Sequence, residues 1–257
     1  MDFAESVEMC RRAVDEGVHT IVSAQLWDIN TDEQPPDFDE NERRLLRLQS
    51  ELSGSSSTLT LKQGFLLRFG PKLPALLETY GAAITLGGGR FVLVALPALK
   101  TPVESEEVWA SLAQQGFSTI IAGPECSPAL RRDEGRLEKW LALGVRLQLN
   151  AASINGAHGR EARRSAFHYI KKYPSQVVVA SNAREAIART PSLAGARAAV
   201  LSRFGKALAH ALFEDNPAAI LKTSHATAAV EETRKPRGPS SLLQQLLRFK
   251  KIATDAS

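Results

Sequence analysis

The chain has 257 residues, 44% of them hydrophobic, which is enough for one large α/β core. No run approaches the ~18 consecutive apolar residues that cross a bilayer, and MDFAESVEMC at the N-terminus lacks a basic stretch followed by an apolar one, so a cytoplasmic protein is expected. The net charge of +4 sits mostly in the tail, where Arg234, Lys235, Arg237, Arg248, Lys250 and Lys251 outnumber Glu231, Glu232 and Asp255; the body is nearly neutral, with no basic stripe interleaved with aromatics, and nucleic acid is not an expected partner.

Along the chain, helical and strand patterns alternate. Residues 3–16 place Phe3, Val7, Cys10, Ala13 and Val14 on one face, with Asp2 and Glu5 in capping-box spacing and Gly17 past the end. A short β-branched strand follows at 18–23. The pattern then predicts a helix over 41–51, strands over 59–62 and 91–96, a helix over 105–115 and a strand over 118–122. Helix 135–143 feeds strand 145–149, helix 158–172 feeds strand 176–180, and helices 192–202 and 205–213 close the domain. Repeated helix-then-strand units with continuous apolar strands imply a parallel sheet covered by helices.

Residues 1–222 therefore read as one domain. After Asn216-Pro217 the pattern gives way to a Pro-, Ser- and charge-rich stretch, read as a disordered linker over 223–240. Residues 241–257 carry Leu242, Leu243, Leu246, Leu247, Phe249 and Ile252 beside Arg248, Lys250 and Lys251. A helix over 241–253 with that face docks on a protein partner, lies on an anionic membrane, or folds back on the domain; the pattern fits all three.

Several constellations carry chemistry on paper. Cys126 and Arg132 have the Cys-x5-Arg spacing of cysteine-dependent phosphatases. However, Pro128 removes an amide donor, no glycine lies between them, and Glu125 raises the thiol pKa, so a solvated loop after a strand is the preferred reading. Gly87-Gly88-Gly89 precedes a strand rather than a helix and reads as a turn. His19, His158, His168, His210 and His225 show no paired spacing and read as packed or solvated. The acidic run 37–42 opens the next helix, where its charge complements the dipole. Cys10 and Cys126 are too separate in environment to suggest a structural disulfide, Cys10 reading as a small buried hydrophobe.

Six segments in order, SVEMCRRAVDEGVHTIVSAQ, GFLLRFGPKL, GGGRFVLVALP, QGFSTIIAGPE, VVVASNAREAIARTPSL and FGKALAHALFEDNPAAIL, cover roughly residues 5–221. Together they resemble the metal-dependent bacterial protein tyrosine phosphatases of the polymerase-and-histidinol-phosphatase (PHP) type, found with capsule and exopolysaccharide genes. The resemblance implies a distorted (β/α) TIM-like barrel rather than a doubly wound sheet, two forms the pattern alone does not separate. It also implies divalent metals, usually manganese, at the C-terminal ends of the strands, where a metal-bound hydroxide attacks phosphorus.

Position by position, the ligands that the resemblance calls for are replaced. The family's opening His-x-His strand has no counterpart in this sequence. Its Ala-Thr-Pro-His-His is Ser23, Ala24, Gln25, Leu26, Trp27 here; its Gly-x-Glu is Gly64, Phe65, Leu66; its Ala-His-Pro-Glu-Arg is Ala122, Gly123, Pro124, Glu125, Cys126; its Ser-Asp-Ala-His is Ser181, Asn182, Ala183, Arg184. The vacated positions are thus Leu26, Leu66, Gly123, Asn182 and Arg184, and no metal cofactor is expected. Arg184, assisted by Arg68, is a candidate to bind phosphate where the metals stood, with a salt bridge to a barrel acid as the alternative. The expectation is a catalytically impaired pseudophosphatase acting as a binding or regulatory module, with a phosphoprotein or tyrosine kinase tail as the partner that the resemblance implies. The alternative is an active manganese-dependent protein tyrosine phosphatase.

Overall fold

The computed structural model describes residues 2–32, 34–53, 59–186 and 190–222. The described residues all belong to one compact unit, while the expected linker over 223–240 and helix over 241–257 lie outside the described residues. No described helix is long and apolar enough to cross a membrane.

Helix α1 (Phe3–Asp15) starts where the Asp2 carboxylate accepts the Ala4 amide proton, satisfying a donor that the first helical turn leaves free. Its Val7, Cys10 and Ala13 are buried, as the spacing predicts, and Val7 and Cys10 form a small cluster with Leu52 and Leu59. Strand β1 (Thr20–Trp27) follows, then helix α2 (Phe38–Ser53) and strand β2 (Thr60–Arg68), which pairs with β1 in parallel along its length. Both strands run four to six residues beyond their predicted ends, at 23 and 62. Gln63 and Gly64 interrupt the apolar pattern of β2, but Phe65 and Leu67 beyond them are fully buried and carry it on.

After helix α3 (Leu73–Tyr80), unforeseen in the sequence, come strand β3 (Phe91–Ala95), helix α4 (Ser105–Gln114) and strand β4 (Ser118–Ala122). A tight turn (Pro124–Cys126), helices α5 (Pro128–Arg132) and α6 (Glu134–Ala142), and strand β5 (Arg146–Asn150) come next. Helices α7 (Ala151–Asn155) and α8 (Gly159–Lys172) lead to strand β6 (Val177–Ala180), and helices α9 (Ala194–Phe204), α10 (Lys206–His210) and α11 (Asn216–Lys222) finish the fold.

All five strand pairings are parallel and the strand order is β1-β2-β3-β4-β5-β6. A doubly wound sheet reverses its strand order so that helices cover both faces. Consecutive order with crossovers of one hand instead puts the helices on a single face, which curls the sheet into a half-barrel. Phe65, Leu67, Val92, Val94, Ile121 and Leu147 belong to the large helix-covered core. The alternate residues Phe91, Leu93, Ile120 and Val178 line the concave side, packed with Leu86 and with Ile220 of α11.

One expectation about the surface is overturned. Helix α8 and the end of α9 form a groove of about 550 Å³ lined by Arg160, Arg163, Arg164, Lys171 and Arg203 together with Phe167 and Phe204. Arg163 and Arg203 lie over the Phe167 ring at 5.6 and 4.9 Å. The domain thus has a basic face interleaved with aromatics. Arg203 joins the cluster only through folding, so the stripe is not continuous in sequence, and Glu161 offsets one of its charges by pairing with Arg164 at 3.2 Å.

Candidate functional site

In barrels wound this way the loops after the strands converge at the C-terminal face, so side chains distant in sequence meet there. The meeting point in this chain lies after β4 and β5. The Gly123 amide continues the ladder by donating to the Gln148 carbonyl at 2.8 Å, and Gly123 then turns sharply with φ at +62°. A β-carbon at Gly123 would stand 2.9 Å from Asn150 Nδ2, so the glycine permits both the turn and the approach of Asn150.

That turn drives Glu125 into the interior, where it is 0% exposed. Its Oε1 accepts hydrogen bonds from the Asn150 amide at 3.0 Å, Asn150 Nδ2 at 2.9 Å and Ser153 Oγ at 2.7 Å, and a longer one from the Cys126 thiol. Its Oε2 is buried and has no hydrogen-bond partner. Arg131 Nη1 donates to the Glu125 carbonyl at 2.9 Å and fixes the turn from outside. Cys126, next along, puts Sγ 3.6 Å from Glu125 Oε1, 3.4 Å from Ser153 Oγ and 3.4 Å from His158 Nδ1. His158 Nδ1 in turn lies 2.9 Å from Ser153 Oγ. Burial pushes the Cys126 thiol up, and the Glu125 carboxylate adds to the rise, as its neighbourhood in sequence implies.

The buried carboxylate, the thiol and the imidazole lie within 4.8 Å of one another, and among the described residues no other group of three or more His, Cys, Asp or Glu could hold a cation. The prior expectation that no metal site exists does not extend to this group. His158 and Cys126 are exposed, in keeping with the solvated reading, but the sequence did not foresee their company: His158 is engaged with Ser153 and Cys126, and the Cys126 loop is held by four side chains. The Cys-x5-Arg reading gains nothing: Arg132 ends α5, and it is Arg131 that turns back, to a carbonyl.

The other singled-out residues are spread along the same end of the sheet. Leu26 on β1 is 42% exposed and pairs in register with Leu66 on β2, itself half-buried against the concave cluster. Asn182 follows β6 with φ at +49°, a conformation asparagine tolerates better than most residues. Arg184 is exposed and, among the described residues, forms no ion pair, so the anticipated salt bridge is not seen there. Arg68 does form one, with Nε 2.6 Å from Asp28 Oδ2.

The family profile described as capsular polysaccharide synthesis, CpsB/CapC, matches residues 1–222. The chain belongs to the CpsB/CapC family. Tyrosine-protein phosphatase YwqE of Bacillus subtilis (strain 168) is 23% identical over 171 residues, which cover 63% of this chain and 63% of that relative. The match thus spans less than two thirds of that protein's length. A structure from the work on YwqE of Bacillus subtilis and CpsB of Streptococcus pneumoniae, described as metal-dependent tyrosine phosphatases, superposes with a TM-score of 0.77. It covers 87% of this chain and 88% of that one at 21% identity, which establishes the CpsB/CapC fold for the curled sheet.

Proposed function

We propose that this CpsB/CapC protein is a phosphatase-fold binding module whose barrel mouth no longer holds a multi-metal centre. The observation that carries the reading is the set of side chains at the strand ends. Leu26, Leu66 and Gly123 have no lone pairs to offer, Asn182 is a weak neutral donor, and Arg184 brings a permanent cation. A cluster of hard divalent ions requires several carboxylates and imidazoles to offset its charge, and these residues do not fit it.

The binding half of the proposal is supported by the basic groove between α8 and α9. Its guanidinium groups match phosphate oxygens bidentately, and Phe167 and Phe204 offer apolar faces to an aromatic phosphoester. A phosphorylated protein segment is the ligand class that suits both.

Glu125, Cys126 and His158 favour a second reading, a working metal-dependent phosphatase like the relatives. Metal analysis of the purified chain, with hydrolysis of a phosphotyrosine mimic measured with and without Mn²⁺, separates the two. The proposal expects no stoichiometric manganese and no manganese-dependent turnover. Stoichiometric manganese with turnover abolished by a chelator overturns it.

A further inference from the structure

The cluster after β4 and β5 has no task in that reading, yet it is built like a coordination site. We propose that Glu125, Cys126 and His158 bind a single borderline cation, zinc in the first instance, independently of the positions from which the family's metals have been lost.

The first argument is spacing. Tetrahedral zinc, with bonds of about 2.3 Å to sulfur and about 2.0 Å to nitrogen or oxygen, sets its ligand atoms roughly 3.3 to 3.6 Å apart. In this chain Cys126 Sγ stands 3.4 Å from His158 Nδ1, and one ligand atom from each of Glu125, Cys126 and His158 lies within 4.8 Å of the others. The thiol–imidazole edge already has the dimensions of the coordination shell, and the carboxylate stands close enough to complete it with a small adjustment.

The second argument is charge. Glu125 is fully buried and forms no ion pair among the described residues, a costly placement for a carboxylate. Oε1 is saturated by Asn150 and Ser153, whereas Oε2 is buried and unpartnered. A divalent ion on Oε2 satisfies that oxygen. When the Cys126 thiol coordinates, its proton leaves to solvent, and the ion's two charges then balance one thiolate and one carboxylate.

The third argument is the support around the ligands. Asn150 and Ser153 orient Glu125 in the way that outer hydrogen bonds orient a metal-bound carboxylate. Ser153 Oγ now shares itself between Glu125 and His158 Nδ1, and when the imidazole nitrogen turns to the ion the hydroxyl keeps its bond to Glu125. Cys126 and His158 are exposed, which gives an ion a path in and leaves its fourth position open to water or an anion. The thiolate also sets selectivity, favouring zinc over manganese or magnesium.

The test uses the full chain, purified reduced and metal-free. Zinc is titrated in competition with a chromogenic chelator, and cobalt(II) serves as the spectroscopic stand-in. One zinc per chain is expected, with a thiolate-to-cobalt charge-transfer band in the near ultraviolet. Cys126→Ser should remove the band, and Cys126→Ser and His158→Ala should each weaken zinc by more than the ~10–100-fold that loss of an orienting group costs. Ser153→Ala should fall within that range, and His168→Ala, an exposed histidine paired to Glu134, should change nothing. Circular dichroism of each variant confirms the fold. A wild-type chain that binds no zinc, or zinc bound equally well by folded Cys126→Ser or His158→Ala, overturns the inference. Neither result bears on manganese-dependent turnover, which tests the preceding proposal separately.

Discussion

Replacing Gly123 by alanine probes the turn that builds the Glu125 cluster, and the structure allows its cost to be worked out in two parts. At φ +62° an L-residue incurs roughly 1–2 kcal/mol of backbone strain. The new β-carbon would also lie 2.9 Å from Asn150 Nδ2. A free amide would swing aside, but this one is pinned by its 2.9 Å bond to Glu125 Oε1 inside the protein. Moving it sacrifices a buried hydrogen bond worth about 1–3 kcal/mol, for a total near 3 kcal/mol. Two glycines supply the comparison. Gly144 has φ at +87° with nothing within 4 Å, so Gly144→Ala should show the strain alone, about 1–2 kcal/mol. Gly135, in the first turn of α6, has neither strain nor a close neighbour, and Gly135→Ala should be neutral or stabilise by up to about 1 kcal/mol. Urea unfolding at constant m-value reads all three. If Gly123→Ala is no less stable than Gly144→Ala, Asn150 is not pinned and the account of the cluster is wrong.

Three further outcomes follow from the same physical reasoning. Arg136 grips Glu106 through Nε and Nη2 at 2.7 and 2.6 Å and holds its carboxyl down at about 2, against an ordinary 4.5. The pair's contribution is complete above pH 4.5 and fades as pH falls toward 2, so wild type and Glu106→Gln should converge in melting temperature over that window; parallel curves would refute the pairing. Leu26→His, at a 42% exposed position, should leave stability within about 0.5 kcal/mol and, lacking partner ligands, should not create manganese-dependent turnover. Reversing charge in the groove with Arg163→Glu and Arg203→Glu should weaken binding of a phosphotyrosine peptide by about tenfold or more, read by fluorescence anisotropy; unchanged affinity would place the ligand elsewhere.

The sheet was largely legible because its later strands are short apolar runs closed by turn residues. Strands β3, β4, β5 and β6 fall within a residue or so of the spans read from the alternation. The upper half of β2 was not legible, and the reason is tertiary. Gly64 sits in that strand because a β-carbon there would meet Val22 Cγ1 at 2.8 Å and Leu86 Cδ2 at 3.0 Å, an approach that no local pattern announces. Helix α3 was hidden by Pro74, a first-turn proline that the sequence presents simply as a break. The candidate site was legible only in fragments. Glu125 and Cys126 were singled out for their effect on each other, but Ser153 and His158 come some thirty residues later, joined to them only by the adjacency of β4 and β5.

That adjacency also links the family position at residue 123 to the candidate new site. In the resemblance, residue 123 is where a histidine ligand would stand. Any side chain on the present backbone at that position would bring a β-carbon within 2.9 Å of the Asn150 amide, and it is this amide that locks Glu125 Oε1. With this backbone, a ligand at 123 and the Asn150–Glu125–Ser153 arrangement therefore compete for the same space. Glycine at 123 is consequently more than a deletion: it opens the room in which Asn150 reaches Glu125, Ser153 closes on the same oxygen, and Cys126 comes to lie beside His158. A single position thus bears both on the ligand that the resemblance would place there and on a buried carboxylate held ready next to a thiol and an imidazole.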